Sequence, residues 1–89
     1  MFTVIWDDPA FDQMNALIQW YPELRSEFRA ALRILNEYWT DHGDTWGESR
    51  DDNIRLGFQG PLSVLIRVDE ESEAIVIEEV QLNRNASPG

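Results

Sequence analysis

The sequence predicts an α+β domain in which two helices pack on one side of a four-stranded, mostly antiparallel sheet, in the order β-α-α-β-β-β. Three observations predict it. An apolar face of helical period runs through residues 23–40, three apolar runs separated by turn residues follow between 53 and 82, and a β-branched run opens the chain. Eighty-nine residues suffice for one core. A single domain over 1–82 is therefore expected, with 83–89 a flexible C-terminal tail.

The run FTVIW (2–6) is β-branched and aromatic, as a strand requires. DDPAF follows, with Asp7 or Asp8 as N-cap and Pro9 at the first helical position. Phe11, Met14, Leu17, Ile18 and Tyr21 then fall three or four apart, which gives the first helix one apolar face. Pro22 ends that helix. A second helix is expected over 23–40, where Leu24, Phe28, Ala31, Leu32, Leu35, Tyr38 and Trp39 share an arc roughly 120° wide. His42 suits the negative end of that helix, and Gly43 reads as its left-handed stop. Residues 41–52 form a polar loop. In NIRLGF (53–58), Ile54, Leu56 and Phe58 alternate with Arg55 and Gly57, the pattern of a half-exposed strand. LSVLIRV (62–68) is nearly continuous apolar and reads as a central strand, DEESE (69–73) turns the chain, and AIVIEEVQL (74–82) closes the set.

Composition narrows the chemistry. The net charge is −10, lysine is absent and all seven basic residues are arginine. Because phosphate neutralisation supplies most nucleic-acid affinity, this balance excludes bulk binding to RNA or DNA and leaves only a local arginine patch. Without cysteine there are no disulfides, thiolate metal ligands or cysteine nucleophiles. His42, the one histidine, has Asp41, Asp44 and Glu48 nearby but no second nitrogen or sulfur ligand, and the loop breaks the calcium-loop pattern. No metal or cofactor is expected. Asp69, Glu70, Glu71 and Glu73 fall on a hairpin tip, where solvation accounts for them. No basic, apolar leader and no apolar run near the ~20 residues that span a bilayer is present, so a cytoplasmic protein without membrane contact is expected.

Two groups are candidates for partner binding. Arg25, Arg29 and Arg33 recur every four residues beside the apolar arc of the second helix. They form either a surface for an acidic or phosphate-bearing partner, or a solvated flank in which Arg33 pairs with Glu37. Of the four tryptophans, Trp6 and Trp39 fall at core positions. Trp20 and Trp46 fall at exposed ones, as interface anchors do. Trp46 has a second reading, as a plug that pins its loop to the core.

The element order, together with IRLGFQGPLSVLIRVDEESEAIVIEEV, resembles the RelE/ParE superfamily of type II toxin–antitoxin toxins across about 80 residues. Arg55-Leu56, Leu62 to Val68 with Asp69, and Ile75 to Val80 fit that family's three C-terminal strands. Asp44-Thr45-Trp46-Gly47 resembles a loop of unassigned role in some RelE-like sequences. The resemblance implies an antitoxin partner, bound in a groove between helices and sheet, and one of two activities: ribosome-dependent mRNA cleavage or gyrase poisoning. Cleavage needs cations to hold the scissile phosphate and a group to move the 2′-OH proton. Carried over by position, Arg55 and Arg84 are the phosphate-binding, catalytic candidates. Ser63 stands where the family's strand arginine is expected, and neither tyrosine nor histidine follows Val80. The implied reading is an antitoxin-binding toxin relative with an incomplete endonuclease set, which meets nucleic acid only through the ribosome. The rival reading is a non-toxic interaction module, acting as a homodimer, on the same scaffold.

Overall fold

The computed structural model describes residues 1–83 and has five strands and two helices. Strand β1 (Thr3–Trp6) leads into α1 (Asp8–Trp20), where Asp7 caps the helix by accepting the Asp8 N–H and Pro9 sits in the first turn. A 3₁₀ turn at Pro22–Leu24 replaces the expected first turn of the second helix, and α2 then runs Arg25–His42. After a further 3₁₀ turn (Gly43–Thr45) come β2 (Glu48–Ser49), β3 (Ile54–Gln59), β4 (Leu62–Asp69) and β5 (Ala74–Leu82). The sheet order is β1-β5-β4-β3-β2. All neighbours are antiparallel except β1, which lies parallel to β5. The two-residue β2 is the strand the sequence did not announce, because two residues carry no period.

Helix α1 packs along β5, while α2 reaches β1 and β3. The core between layers comes from Ala10 and Met14 of α1, Phe28, Ala31, Leu35 and Trp39 of α2, the inward residues Leu62, Val64, Ile66 and Val68 of β4, and Ile75, Ile77 and Val80 of β5. A register shift between Leu65 and Ile66 inserts an extra residue into β5, a β-bulge that increases the local twist. Strand β1 pairs only with residues 74–77 of β5, so 78–82 forms a sheet edge on that side. There Gln13 on α1 accepts the Val80 N–H at 2.7 Å, which satisfies a ladder donor with a side chain.

Four expectations change. Phe11 is 55% exposed, and Ala10, fully buried, takes its place on the core side of α1. Tyr38, placed on the apolar arc of α2, lies at the arc's edge and is exposed. Gly43 is not a left-handed stop: its φ is −58°. A Cβ there would lie 2.5 Å from Ile75 Cδ1, so packing against β5, not turn geometry, requires the glycine. Finally, the apolar side of β3 faces outward. Phe58 is exposed, whereas Gly57 is buried under the Trp46 ring.

Asn83, the first residue of the expected tail, donates its N–H to the Pro61 carbonyl at 2.7 Å. The remainder of that tail, with Arg84, lies outside the described residues. Among the described residues no helix is long and apolar enough to cross a membrane.

Candidate functional site

The side of the sheet away from the helices carries Ser63, the position where the resemblance led us to expect a strand arginine. Strand register places Ile54, Leu56 and Phe58 beside Arg67, Leu65 and Ser63, and these beside Val76, Glu79 and Gln81. The face is thus an apolar band with a few polar groups. Ser63 borders a hollow of about 240 Å³ with Leu56, Leu65, Glu79 and Gln81. Its hydroxyl carries no positive charge to neutralise a phosphate. Arg67 is the cation of this face. Its Nε donates to Glu78 Oε1 at 2.8 Å, and that hydrogen bond holds the guanidinium pKa above its ordinary value. A phosphate arriving here would have to displace a carboxylate. Arg67 was legible from strand alternation, since it shares parity with Ser63, and it lies within the Leu62–Asp69 match to the family's strand, but it was not singled out as a site residue.

Arg55 points the other way. It alternates with Leu56, so it sits on the side of β3 that carries Gly57 and the Trp46 loop. Its Nε donates to the Trp46 carbonyl and its Nη2 to the Gly47 carbonyl, the latter at 3.0 Å. Trp46 is buried at 8% exposure, a correction to its expected place on the surface, because its ring covers Gly57 and meets Trp39 edge-to-face at 5.2 Å. Gly47 is left-handed at φ +72°, and a Cβ there would lie 2.6 Å from the Leu56 carbonyl oxygen. The Asp44–Gly47 segment therefore works as a plug: Trp46 fills, Gly47 lets the backbone close on β3, and Arg55 ties the two carbonyls. The structure does not bring Arg55 and Ser63 together on one face.

On α2, Arg25, Arg29 and Arg33 are all exposed, and none of their side chains makes an ion pair or hydrogen bond among the described residues. The Arg33–Glu37 pair allowed by their spacing does not form. The ion pairs present are Arg50–Glu48 at 3.9 Å and Arg67–Glu78. Arg25, Ser26, Arg29, Ala30 and Arg33 border a shallow hollow of about 450 Å³. On their core side, Arg29, Arg33 and Asn36 rim a cleft of about 330 Å³ walled by Trp6, Leu32, Trp39 and Ile77. The buried Trp39 Nε1 is the side-chain donor left without a partner among the described residues, at a cost of about 1–3 kcal/mol. Trp20, 77% exposed at the end of α1, stands apart from this row.

A larger groove of about 680 Å³ lies between α1 and the edge of β5. Gln13, Ala16 and Leu17 form its helical wall, and Ser63, Val80 and Gln81 are among its sheet residues. No group of three or more His, Cys, Asp or Glu residues able to hold a metal occurs among the described residues.

This architecture recurs in solved structures. The chain matches one from the chromosomal ParDE toxin–antitoxin system of P. aeruginosa with a TM-score of 0.70 and 16% identity, over 92% of this chain and 96% of that one. It also matches a chain of the toxin–antitoxin complex RelBE2 from Mycobacterium tuberculosis with a TM-score of 0.59 and 17% identity, over 97% and 93%. No family model and no curated protein matches the sequence. At such identities the likeness establishes the fold alone, which this chain shares with chains of these two toxin–antitoxin structures.

Proposed function

We propose that the protein is a toxin-family member of a type II toxin–antitoxin pair, that it binds an antitoxin polypeptide, and that it does not cut RNA. The observation that carries the first two parts is the fold likeness to chains of two toxin–antitoxin complexes over more than nine-tenths of this chain. The third rests on the outer sheet face. Electrostatic stabilisation of a phosphoryl transition state needs preorganised cations where charge develops. This face has Ser63 in the strand position where the family carries arginine, Arg67 held by Glu78, and Glu79 beside them. Arg55 supports the Trp46 loop and not a substrate. Arg84 remains a candidate from sequence alone.

The test is induced expression in a bacterial host, with and without the polypeptide encoded beside its gene, combined with primer-extension mapping of messages on translating ribosomes. Expected are a stable complex with the neighbouring polypeptide and no new cleavage ends. Cleavage that disappears in an Arg67→Ala or Arg55→Ala variant would refute the third part. Unimpaired growth on strong soluble expression, with no complex formed, would leave the homodimeric interaction module as the better reading.

A further inference from the structure

The geometry points to the cleft between α2 and the β1–β5 pair as a docking surface for an acidic polypeptide segment that carries an apolar anchor. Arg29 and Arg33 take its carboxylates, while the partly exposed Trp6 and Leu32 receive the anchor over the buried Trp39 and Ile77. This deepens the antitoxin reading by giving the partner a chemistry, and it rests on that reading only for the partner's name.

The first argument is charge. The chain has 17 acidic residues and seven arginines, so almost any arginine could find a carboxylate. Three successive arginines on one helix flank nevertheless remain unpaired among the described residues. Arg25 also opens the first turn of α2, where the helix dipole disfavours cations. The row thus stands free for an external anion. Arg25 to Arg33 rises about 12 Å at 1.5 Å per residue, the reach of two helical turns or of three to four extended residues.

The second argument is shape. The arginines border both the shallow hollow and the apolar cleft, with Arg29 and Arg33 common to the two. A simple anion would use the hollow and leave the cleft open. A segment with an aliphatic or aromatic residue next to Asp or Glu uses both, burying an apolar side chain at about 1.5–3 kcal/mol while its carboxylates meet the guanidinium groups. Nucleic acid is disfavoured, because a polyanion needs many phosphate contacts and meets a net charge of −10 beyond this row.

The experiment measures fluorescence anisotropy of labelled 14-residue peptides on the whole protein. The probes are a Leu/Glu amphipathic peptide, the same peptide with Lys for Glu, the same with Ser for Leu, and a 12-nucleotide single strand. The Leu/Glu peptide should bind, with a loss of tenfold or more on Arg29→Glu/Arg33→Glu and little change on Arg50→Glu. The Leu-to-Ser peptide should lose most of the affinity. Both arginines are exposed, so the melting curve should barely move, and Arg29→Gln/Arg33→Gln should repeat the loss without reversing charge. The inference is overturned if the double variant binds the Leu/Glu peptide as well as the parent does. It is equally overturned if no peptide binds at 1 mM, if the lysine peptide binds as well as the glutamate one, or if the oligonucleotide binds in an arginine-dependent way. A neighbouring polypeptide that binds parent and double variant alike removes this inference and leaves the antitoxin reading intact. Peptide binding without any such partner does the reverse.

Discussion

Arg55 and Trp46 show how one residue can carry two readings until its contacts are known. A guanidinium on a strand of this fold suggests phosphate binding, yet its two bonded nitrogens are occupied by the Trp46 and Gly47 carbonyls. Arg55→Ala should therefore act on the loop: about 1–3 kcal/mol of stability lost, and faster amide exchange over 44–49 by mass spectrometry. Gly57→Ala places a methyl 2.5 Å from the Trp46 ring, in a contact backed by the Trp39 edge. It should cost about 1–3 kcal/mol as an overpacking change, seen as a lower urea midpoint at unchanged slope. Glu73 is left-handed at φ +51° without being glycine, and its carbonyl accepts the Thr3 N–H at 2.8 Å. Glu73→Gly should raise stability by about 0.5–1 kcal/mol, because relief of the left-handed cost exceeds the added unfolded-chain entropy. A lower melting temperature for that variant would contradict this.

At the scale of elements, the β4–β5 turn has a built-in acid sensitivity. The Ser72 hydroxyl and N–H donate to the Asp69 carboxylate and hold its pKa below the usual carboxylate range. A carboxyl depressed in the folded state stabilises above its unfolded pKa, about 3.9, and the contribution fades as pH falls through the lower folded value. Loosening of residues 69–73, followed by NMR titration, should therefore begin below about pH 4 and vanish in Asp69→Asn. Helix α2 and strands β4 and β5 were legible in the sequence, because their apolar periods are long enough to fix a face. Of the features that were not, two share one reason: the cause lies far away in the chain. Gly43 is set by Ile75, and the side presented by β3 is set by Trp46 lying over Gly57. A local pattern contains neither fact.

For the whole molecule, charge and fold answer different questions. The layer arrangement follows from element order, and it recurs in chains of two toxin–antitoxin structures. The same order, transferred by position, named Arg55 but not its direction, and passed over Arg67 on the outer face. The partner row at Arg25, Arg29 and Arg33 was visible as a four-residue repeat. Its lack of internal counter-ions, and the cleft it rims, needed the packed structure.

The parallel seating of β1 against β5 has a consequence for biosynthesis. The sheet partner of β1 lies far along the chain, since Thr3 to Trp6 find their ladder on Ala74 to Ile77. Such distant closure is entropically slow, and a nascent chain leaves β1 without its sheet neighbour, and α1 without the strand it packs along, until β5 has been made.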